Sequence, residues 1–186
     1  MPLLLLKNLP RYDCLLEAAR EFPDLDPSAC DAYLHLLRTG DEAFRVIGSN
    51  LASHGMSSGR FMVLMLLLDK KNWRPLTTMP TPAELAEKAG VTRATMTGLI
   101  DTLERDGLVK REPDPEDRRR MLVQLTAPGH SALMGILPGH FQRMTGLMRT
   151  LSEAERKALV RLLDKVAEQA ARIAPPSRTV GTIQPV

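Results

Sequence analysis

The 186-residue chain has few cysteines and few aromatic residues, and both shortages exclude kinds of protein. Its two cysteines, Cys14 and Cys30, are too few for a disulfide framework, so the cytoplasm is the expected compartment. Aromatic residues make up only 4% of the chain, which argues against a protein that stacks single-stranded bases on aromatic rings. No metal site is predicted, because no close-spaced ligand pair occurs among these cysteines and His35, His54, His130 and His140.

Long hydrophobic runs and catalytic motifs are missing as well. The longest apolar run, residues 61–68, is far short of the ~20 residues that a membrane helix needs, and predicts a buried helix instead. The start MPLLLLKNLP has no basic beginning and no cleavage site, and Pro10 interrupts it, so we expect neither a signal peptide nor a membrane span. Phosphate-cradling glycine loops, nucleophile elbows and HExxH are not found, so neither an enzyme nor a cofactor is expected.

Composition permits one substantial core but does not identify a partner. Hydrophobic residues make up 44% of the chain, which is enough for one domain with or without a dimerisation extension. The net charge of +3 and the pI near 9.1 are compatible with DNA binding without indicating it. The function must therefore be inferred from local motifs.

Residues 81–105 have the pattern of two short helices joined by a tight turn. Thr81 and Glu84 predict a capping box, Pro82 suits the first helical position, and Gly90 is placed to end the first helix. Thr92 is the expected cap of the second helix, whose apolar face is formed by residues spaced three and four apart: Met96, Leu99, Ile100 and Leu103. The pattern is that of a helix-turn-helix.

The opposite face of the second helix carries residue types suited to DNA. One guanidinium, two hydroxyls and a position without a side chain lie near its N-terminal end: Arg93, Thr95, Thr97 and Gly98. Helix N-termini bind phosphates, and side chains of a helix in the major groove contact base edges. We therefore expect this face, with the cap Thr92, to bind DNA.

A hairpin with basic residues near its tip is predicted directly after the second helix. Residues 108–111 and 121–125 read as two strands, and residues 112–117 as an acidic, proline-containing turn that is followed by Arg118, Arg119 and Arg120. Six basic and five acidic residues lie between positions 105 and 120, so bulk charge does not distinguish the segment. An exposed hairpin with a solvated charge run is the alternative, but attachment to a capped helix-turn-helix favours DNA binding.

Together these motifs make the chain resemble the MarR family of transcriptional regulators. The matching segments are PAELAEKAGVT, TRATMTGLIDTLERDGLV and DPEDRRRMLVQLTAPG, and looser similarity covers about residues 30–172. The resemblance implies an obligate homodimer, most often a repressor, that binds a palindromic operator and is released by a small molecule or by oxidation. By position, Thr95 and Thr97 would face the major groove, and Arg118 or Arg119 the adjacent minor groove. Gly98 stands where many relatives carry a long polar or basic DNA contact.

The expected fold is mainly α (α+β), a winged helix-turn-helix with a helical dimerisation region. Predicted domains are an N-terminal extension with a short helix at 12–22 (residues 1–28), a dimerisation helix (29–56), the DNA-binding domain (57–126), C-terminal dimerisation helices (127–173) and a disordered tail (174–186). A buried helix is expected over residues 57–71. Another, over residues 126–150, should kink or divide at Pro138. The extension resembles that of a subgroup that adds a helix to the dimer interface.

The resemblance also implies a site for small aromatic or phenolic anions between the dimerisation helices and the winged domain. Polar or aromatic residues expected near it are Tyr33, His35, Arg38, Arg60 and Trp73. An alternative is redox sensing through Cys30, because helix N-termini lower the pKa of thiols. Another alternative is a winged helix that binds a protein and never contacts DNA.

Overall fold

The computed structural model describes residues 8–69 and 71–173. Its contacts divide the chain into two compact units, residues 1–144 and residues 145–186. The predicted disordered tail, residues 174–186, lies outside the described residues. The helices and strands, in chain order, are α1 (Tyr12–Glu21), α2 (Pro27–Ala52), α3 (Ser58–Leu66), β1 (Leu68–Asp69), β2 (Arg74–Pro75), α4 (Pro82–Ala89), α5 (Arg93–Arg105), β3 (Val109–Pro113), β4 (Met121–Leu125), α6 (Ala127–Leu147) and α7 (Glu153–Ile173).

The core of the first unit lies where α3, α4, α5, the β3–β4 hairpin and the start of α6 meet. The predicted apolar face of α5 is confirmed, because Met96, Ile100 and Leu103 are fully buried and Leu99 packs against them. Other fully buried side chains come from each neighbouring element: Leu64, Leu85, Val109, Val123 and Leu133. The result is the predicted winged helix-turn-helix, mainly helical with small antiparallel sheets.

One predicted element is wrong. The helix expected over residues 57–71 ends at Leu66, and β1 and β2 form a short antiparallel hairpin after it. Two side chains favour this hairpin over continued helix: the Asp69 carboxylate accepts the Lys71 N–H at 2.9 Å, and the Asn72 side-chain oxygen accepts the Arg74 N–H at 3.0 Å. α3 is also less enclosed than expected, since Phe61, Val63 and Leu64 are buried but Met62, Met65 and Leu66 are only partly so.

The helices before α3 match their predicted positions closely. α1 covers the expected segment and buries Leu15. α2 begins at Pro27, two residues earlier than predicted, because the Asp26 carboxylate accepts the N–H groups of Ser28 and Ala29. These two hydrogen bonds also lower the pKa of Asp26, the one from Ala29 more strongly.

The boundaries around the second hairpin differ from prediction by a few residues. β4 coincides with its predicted range, whereas β3 continues through Glu112 and Pro113, which had been assigned to the turn. Pro113 pairs with Met121 at the end of the ladder, a position that proline tolerates. α6 ends at Leu147 and is a single helix with Pro138 inside it, so the alternative of two shorter helices is wrong.

The second unit contains α7. A capping box begins this helix: the Ser152 N–H donates to the Glu155 carboxylate at 2.7 Å, and the Glu155 N–H donates to the Ser152 hydroxyl at 3.3 Å. None of the residues of α7 is buried, although apolar side chains recur three and four residues apart along it: Leu159, Leu163, Val166, Ala170 and Ile173.

Candidate nucleic-acid interface

α4 and the turn after it determine where α5 begins. The predicted capping box of Thr81 and Glu84 is present, with the Thr81 N–H donating to the Glu84 carboxylate at 2.7 Å. Gly90 ends α4 with φ +65°, a left-handed conformation that favours glycine. The Val91 N–H then donates to the Ala86 carbonyl at 3.1 Å, which closes the turn between the helices.

The N-terminal half of α5 exposes the residues predicted to bind DNA. The Thr92 hydroxyl accepts the Thr95 N–H at 3.1 Å and lies 2.9 Å from the Thr95 hydroxyl, so both threonines take part in capping the helix. The side chains of Arg93 and Thr97 are exposed and have no hydrogen bond or ion pair with any residue that the structure describes. Of the two predicted base-reading threonines, Thr97 is therefore the one whose hydroxyl is available.

Gly98 leaves an open place on the same face. A Cβ built at this position has no atom within 4 Å, and the backbone is ordinary right-handed helix. The surface of the chain therefore does not require glycine here. What glycine provides is room next to the helix backbone.

We call the β3–β4 hairpin, residues 109–125, the wing. Acidic side chains at its tip accept hydrogen bonds from backbone N–H groups of the turn. The Asp117 carboxylate accepts the Arg119 N–H at 3.0 Å, and the Asp114 carboxylate accepts the Glu116 N–H at 2.9 Å. The guanidinium groups of Arg118 and Arg119 are exposed and pair with no described residue. The tip thus presents two positive charges that no carboxylate in the described part of the chain pairs with, on a turn held by backbone hydrogen bonds.

Arg120 differs from its two neighbours. Its guanidinium lies 3.7 Å from the Asp114 carboxylate and 3.7 Å from that of Glu84 on α4. Hydrogen bonds from the backbone and side chain of Thr81 lower the pKa of Glu84 most, with a smaller contribution from Arg120. Of the three predicted wing arginines, Arg120 therefore links the wing to α4 in the unbound chain.

The base of the wing is tied to α5 through Arg111. Its guanidinium donates to Asp101 at 2.6 Å and to Glu104 at 2.7 Å, and its backbone N–H donates to Glu104 at 2.9 Å. Burial opposes the charged form of Arg111, but the hydrogen bonds to Asp101 and Glu104 outweigh it and raise the pKa of this guanidinium above its usual range. Sequence analysis did not single out this residue.

A second contact missed by sequence analysis joins the wing to α6. The Thr126 hydroxyl shares its one proton between the carbonyl oxygens of Gly107 and Leu108, which lie 2.7 and 3.0 Å away, and accepts the Gly129 N–H at 3.0 Å. A Cβ on Gly129 would lie 1.9 Å from the Leu108 carbonyl oxygen, so only glycine fits. Both residues lie in the segment DPEDRRRMLVQLTAPG that carries the family resemblance, at its Thr126 and its last glycine.

The five residues proposed for a small ligand lie in different settings. Arg60 on α3 forms an ion pair with Asp106, the C-cap of α5. Trp73 lies in the β1–β2 turn, where its ring meets Phe141 at 5.6 Å and its carbonyl lies 2.8 Å from a ring nitrogen of His130. Tyr33, His35 and Arg38 are on α2, with His35 3.6 Å from Asp31 and Arg38 4.0 Å from Glu42.

An aromatic cluster connects α3, the β1–β2 turn and α6 within the first unit. The ring of His140 lies 4.8 Å from Phe61 and 5.8 Å from Phe141, which in turn contacts Trp73. Burial lowers the pKa of His140. Its Nδ1 is buried and has no hydrogen-bond partner among the described residues.

Cys30 lies in the first turn of α2 and is half-buried, while Cys14 is exposed on α1, and both are free thiols. Among residues 8–69 and 71–173, no group of histidine, cysteine and acidic side chains is arranged to hold a metal ion. None of the described helices is long and apolar enough to cross a membrane.

Comparison with known proteins gives the same family by sequence and by structure. Residues 56–121 match the model of the MarR family. The HTH-type transcriptional repressor YetL of Bacillus subtilis is 36% identical over 164 residues, which cover 88% of this chain and 95% of YetL. BpsR of Bordetella bronchiseptica, whose DNA binding is regulated by 6-hydroxynicotinic acid, has a TM-score of 0.60 at 26% identity over 72% of this chain and 91% of BpsR. The repressor CouR, solved on a 23-mer DNA duplex, has a TM-score of 0.61 at 26% identity over 71% of this chain and 89% of CouR.

Proposed function

The chain belongs to the MarR family of DNA-binding transcriptional regulators, and on that premise we propose that it is a repressor that binds a palindromic operator as a homodimer and is released by a small aromatic or phenolic ligand. The observation that carries the DNA part of the proposal is the set of unpaired cationic and hydroxyl groups on two adjoining elements. The side chains of Arg93 and Thr97 on α5, and those of Arg118 and Arg119 at the wing tip, have no hydrogen bond or ion pair among residues 8–69 and 71–173. A helix in the major groove with a wing on the flanking backbone uses both at once.

The chemistry of each side chain indicates its role in DNA binding. Arg118 and Arg119 supply charge to phosphates or to the minor groove, which adds affinity for any sequence. The Thr97 hydroxyl contacts a base edge and contributes to sequence preference. Thr92 and Thr95 position the N-terminus of α5, whose free N–H groups favour a phosphate.

A homodimer is supported by apolar side chains that neither unit buries. In the first unit, Tyr33 and Phe44 on α2 are 59% and 65% exposed, and Phe141 and Met144 on α6 are 40% and 47% exposed. In the second unit, Val166 and Ile173 on α7 are 50% and 72% exposed. A second copy that covers such surfaces also supplies the second α5, which a palindrome requires about 34 Å from the first.

Release by an aromatic ligand is supported by the relatives and by the aromatic cluster. The compound that regulates DNA binding by BpsR, 6-hydroxynicotinic acid, is an aromatic acid. In this chain Trp73 belongs to the Phe61–His140–Phe141 cluster, and Arg60 holds the C-cap of α5, so a ligand that engages either residue also touches an element that supports DNA binding. The α2 residues Tyr33, His35 and Arg38 complete the proposed set.

The test is a gel-shift titration of the full chain with the promoter next to its own gene, paired with sedimentation equilibrium. We expect a sequence-preferring complex of two chains per duplex, and loss of that complex when an effective aromatic acid from a thermal-shift screen is added. A protein that binds the duplex as a monomer would contradict the homodimer. A protein that retards no duplex would contradict DNA binding and would instead support a winged helix that binds another protein.

Redox release through Cys30 is a separate prediction of the family resemblance. Its half-buried position in the first turn of α2 gives it no described partner beyond the backbone contact to Asp26. Cys30→Ser should abolish peroxide-induced release from the operator if the thiol is the sensor. Full release by peroxide in that variant would discard the redox alternative.

A further inference from the structure

The wing and α5 are separate elements, yet DNA binding needs them at one fixed angle. Of the described wing residues, Arg111 stands out because it contacts α5 through both its backbone and its side chain. Its side chain is 20% exposed, while its carboxylate partners Asp101 and Glu104 are 56% and 37% exposed. The contact is therefore sheltered on the arginine side and reaches the surface on the helix side.

The geometry of this contact restrains the rotation of the wing relative to α5 as well as the distance between them. Asp101 and Glu104 are three residues apart on α5 and therefore lie on one face of the helix. A planar guanidinium that donates to both carboxylates, with its own backbone N–H fixed to Glu104, is held at three points. A lysine in the same place has a point charge on a flexible stem and cannot reproduce the planar fork.

Arg111 lies near the base of the wing, so a small change in the angle between the wing and α5 moves the tip by a larger distance. The residue pairs with Val123 in the middle of the ladder, and β3 runs two residues further to Pro113 before the turn begins. Each strand residue adds about 3.3 Å, so the guanidinium groups of Arg118 and Arg119 lie well beyond the contact between Arg111 and α5. A rotation of the hairpin about its base therefore displaces the tip more than the base.

From these observations we propose that Arg111 is a positioning residue for DNA binding, which sets the angle between the wing and α5 so that Arg118 and Arg119 reach the duplex when α5 lies in the groove. It acts through the tip arginines and does not contact DNA itself. The inference rests on the proposed DNA-binding function and assigns a role within that same surface.

A double-mutant cycle tests the proposal with the full chain. Operator affinity is measured by fluorescence anisotropy for the unaltered protein, for Arg111→Gln, for the tip pair Arg118→Ala and Arg119→Ala, and for the combination. Without the Arg111 contact, the wing should contribute less to binding. The fold-loss in operator affinity caused by the tip pair should therefore be at least about threefold smaller in the Arg111→Gln protein than in the unaltered protein. The salt dependence should shift in parallel, because misplaced tip arginines no longer displace counterions.

A purely structural role for Arg111 gives a different result. Loss of stability alone lowers the folded fraction equally with and without the tip substitutions, so the tip pair would weaken binding by the same factor in both backgrounds, and the proposal would be overturned. If the unaltered protein retards no duplex at all, the proposed function itself fails. The two failures are thus distinguishable.

Matched variants separate charge from geometry. Arg111→Lys keeps the charge but not the fork and should behave like Arg111→Gln in the cycle, whereas Arg11→Gln removes an exposed arginine just before α1 and should leave the effect of the tip pair unchanged. If Arg111→Gln does not fold, Asp101→Ala replaces it, since it removes one of the three points that hold the guanidinium while Glu104 still pairs with the arginine. That variant should reduce the contribution of the tip pair, and an unreduced contribution would again overturn the proposal.

Discussion

The two ends of α5 use charged residues in opposite ways. In the C-terminal half, three carboxylates each pair with an arginine from another element: Asp101 and Glu104 with Arg111, and Asp106 with Arg60. In the N-terminal half, Arg93 and Thr97 have no partner among the described residues, and Gly98 leaves open space. One end is fixed to the scaffold, and the other is left available.

The arginines of the wing differ in the same way, and they show that one residue type can have two different roles. Arg111 at the base and Arg119 at the tip are the same residue on the same hairpin. Among the residues that the structure describes, only the first has carboxylates within hydrogen-bond distance of its guanidinium, because the Asp117 carboxylate accepts the backbone N–H of Arg119 instead. Arginines whose charge is satisfied inside the chain support the surface, and those left unsatisfied are available to phosphates.

The largest effect is expected at the supported end, from Gly129→Ala. The added Cβ would lie 1.9 Å from the Leu108 carbonyl oxygen and 3.0 Å from a Leu125 methyl group, so the backbone that joins the wing to α6 must move. We expect a loss of about 3 kcal/mol or more in the free energy of unfolding, at the upper end for overpacking. Urea denaturation followed by circular dichroism measures it.

Gly135→Ala is the matched control in the same helix. A Cβ at Gly135 meets nothing within 4 Å, so the substitution should stabilise α6 by about 0.5–1 kcal/mol. Similar stability changes in the two variants would show that the close approach at Gly129 does not restrain the wing base, and the contrast between the two ends would weaken.

The next effect is expected at the available end of the wing. Removing both tip charges, Arg118→Ala with Arg119→Ala, should weaken binding to every duplex and lower the slope of log affinity against log salt by roughly 3.6, because a dimer loses four phosphate contacts at about 0.9 each. The free energy of unfolding should change by less than about 0.5 kcal/mol, because neither side chain has a described partner. An unchanged salt slope would show that the tip does not meet phosphates.

A smaller and different effect is expected on the face of α5. Thr97→Val removes the free hydroxyl and keeps the shape of the side chain, so preference for the operator over a variant operator should fall by about tenfold, within the range for one base contact. Binding to unrelated DNA should stay the same. Competition binding with both duplexes measures it. If Thr97→Val weakens operator and unrelated DNA equally, the hydroxyl contacts phosphate and not a base.

The helix-turn-helix and wing were predictable from sequence because short-range chemistry determines them. Caps at Thr81 and Thr92, the left-handed Gly90 and the spacing of Met96, Ile100 and Leu103 each indicate local structure, and all are present. The β1–β2 hairpin was not predicted, because residues 61–68 are apolar without a helix-ending signal. The hydrogen bonds that favour the hairpin come from Asp69 and Asn72, beyond that run.

Partners distant in the sequence were beyond prediction. Arg60 and Asp106 are 46 residues apart, and nothing local indicates that they meet. A count of charges between positions 105 and 120 does not distinguish Arg111 and Arg120 from the tip arginines. In the structure, carboxylates of α5 pair with Arg111, and carboxylates of α4 and the wing pair with Arg120. Sequence therefore identified the available end of the surface more completely than its support.

The smallest effect is expected from Gly98→Ala, which tests whether the open space is used. Glycine inside an exposed helix costs about 0.5–1 kcal/mol relative to alanine, and the new Cβ meets no atom of this chain within 4 Å, so the free energy of unfolding should rise by that amount. If the DNA backbone approaches α5 at this point, the same methyl group should weaken operator binding a few-fold in a protein that is more stable. Raised stability with unchanged affinity would place the DNA away from Gly98 and leave Arg93 and Thr97 as the contacts from this half of the helix.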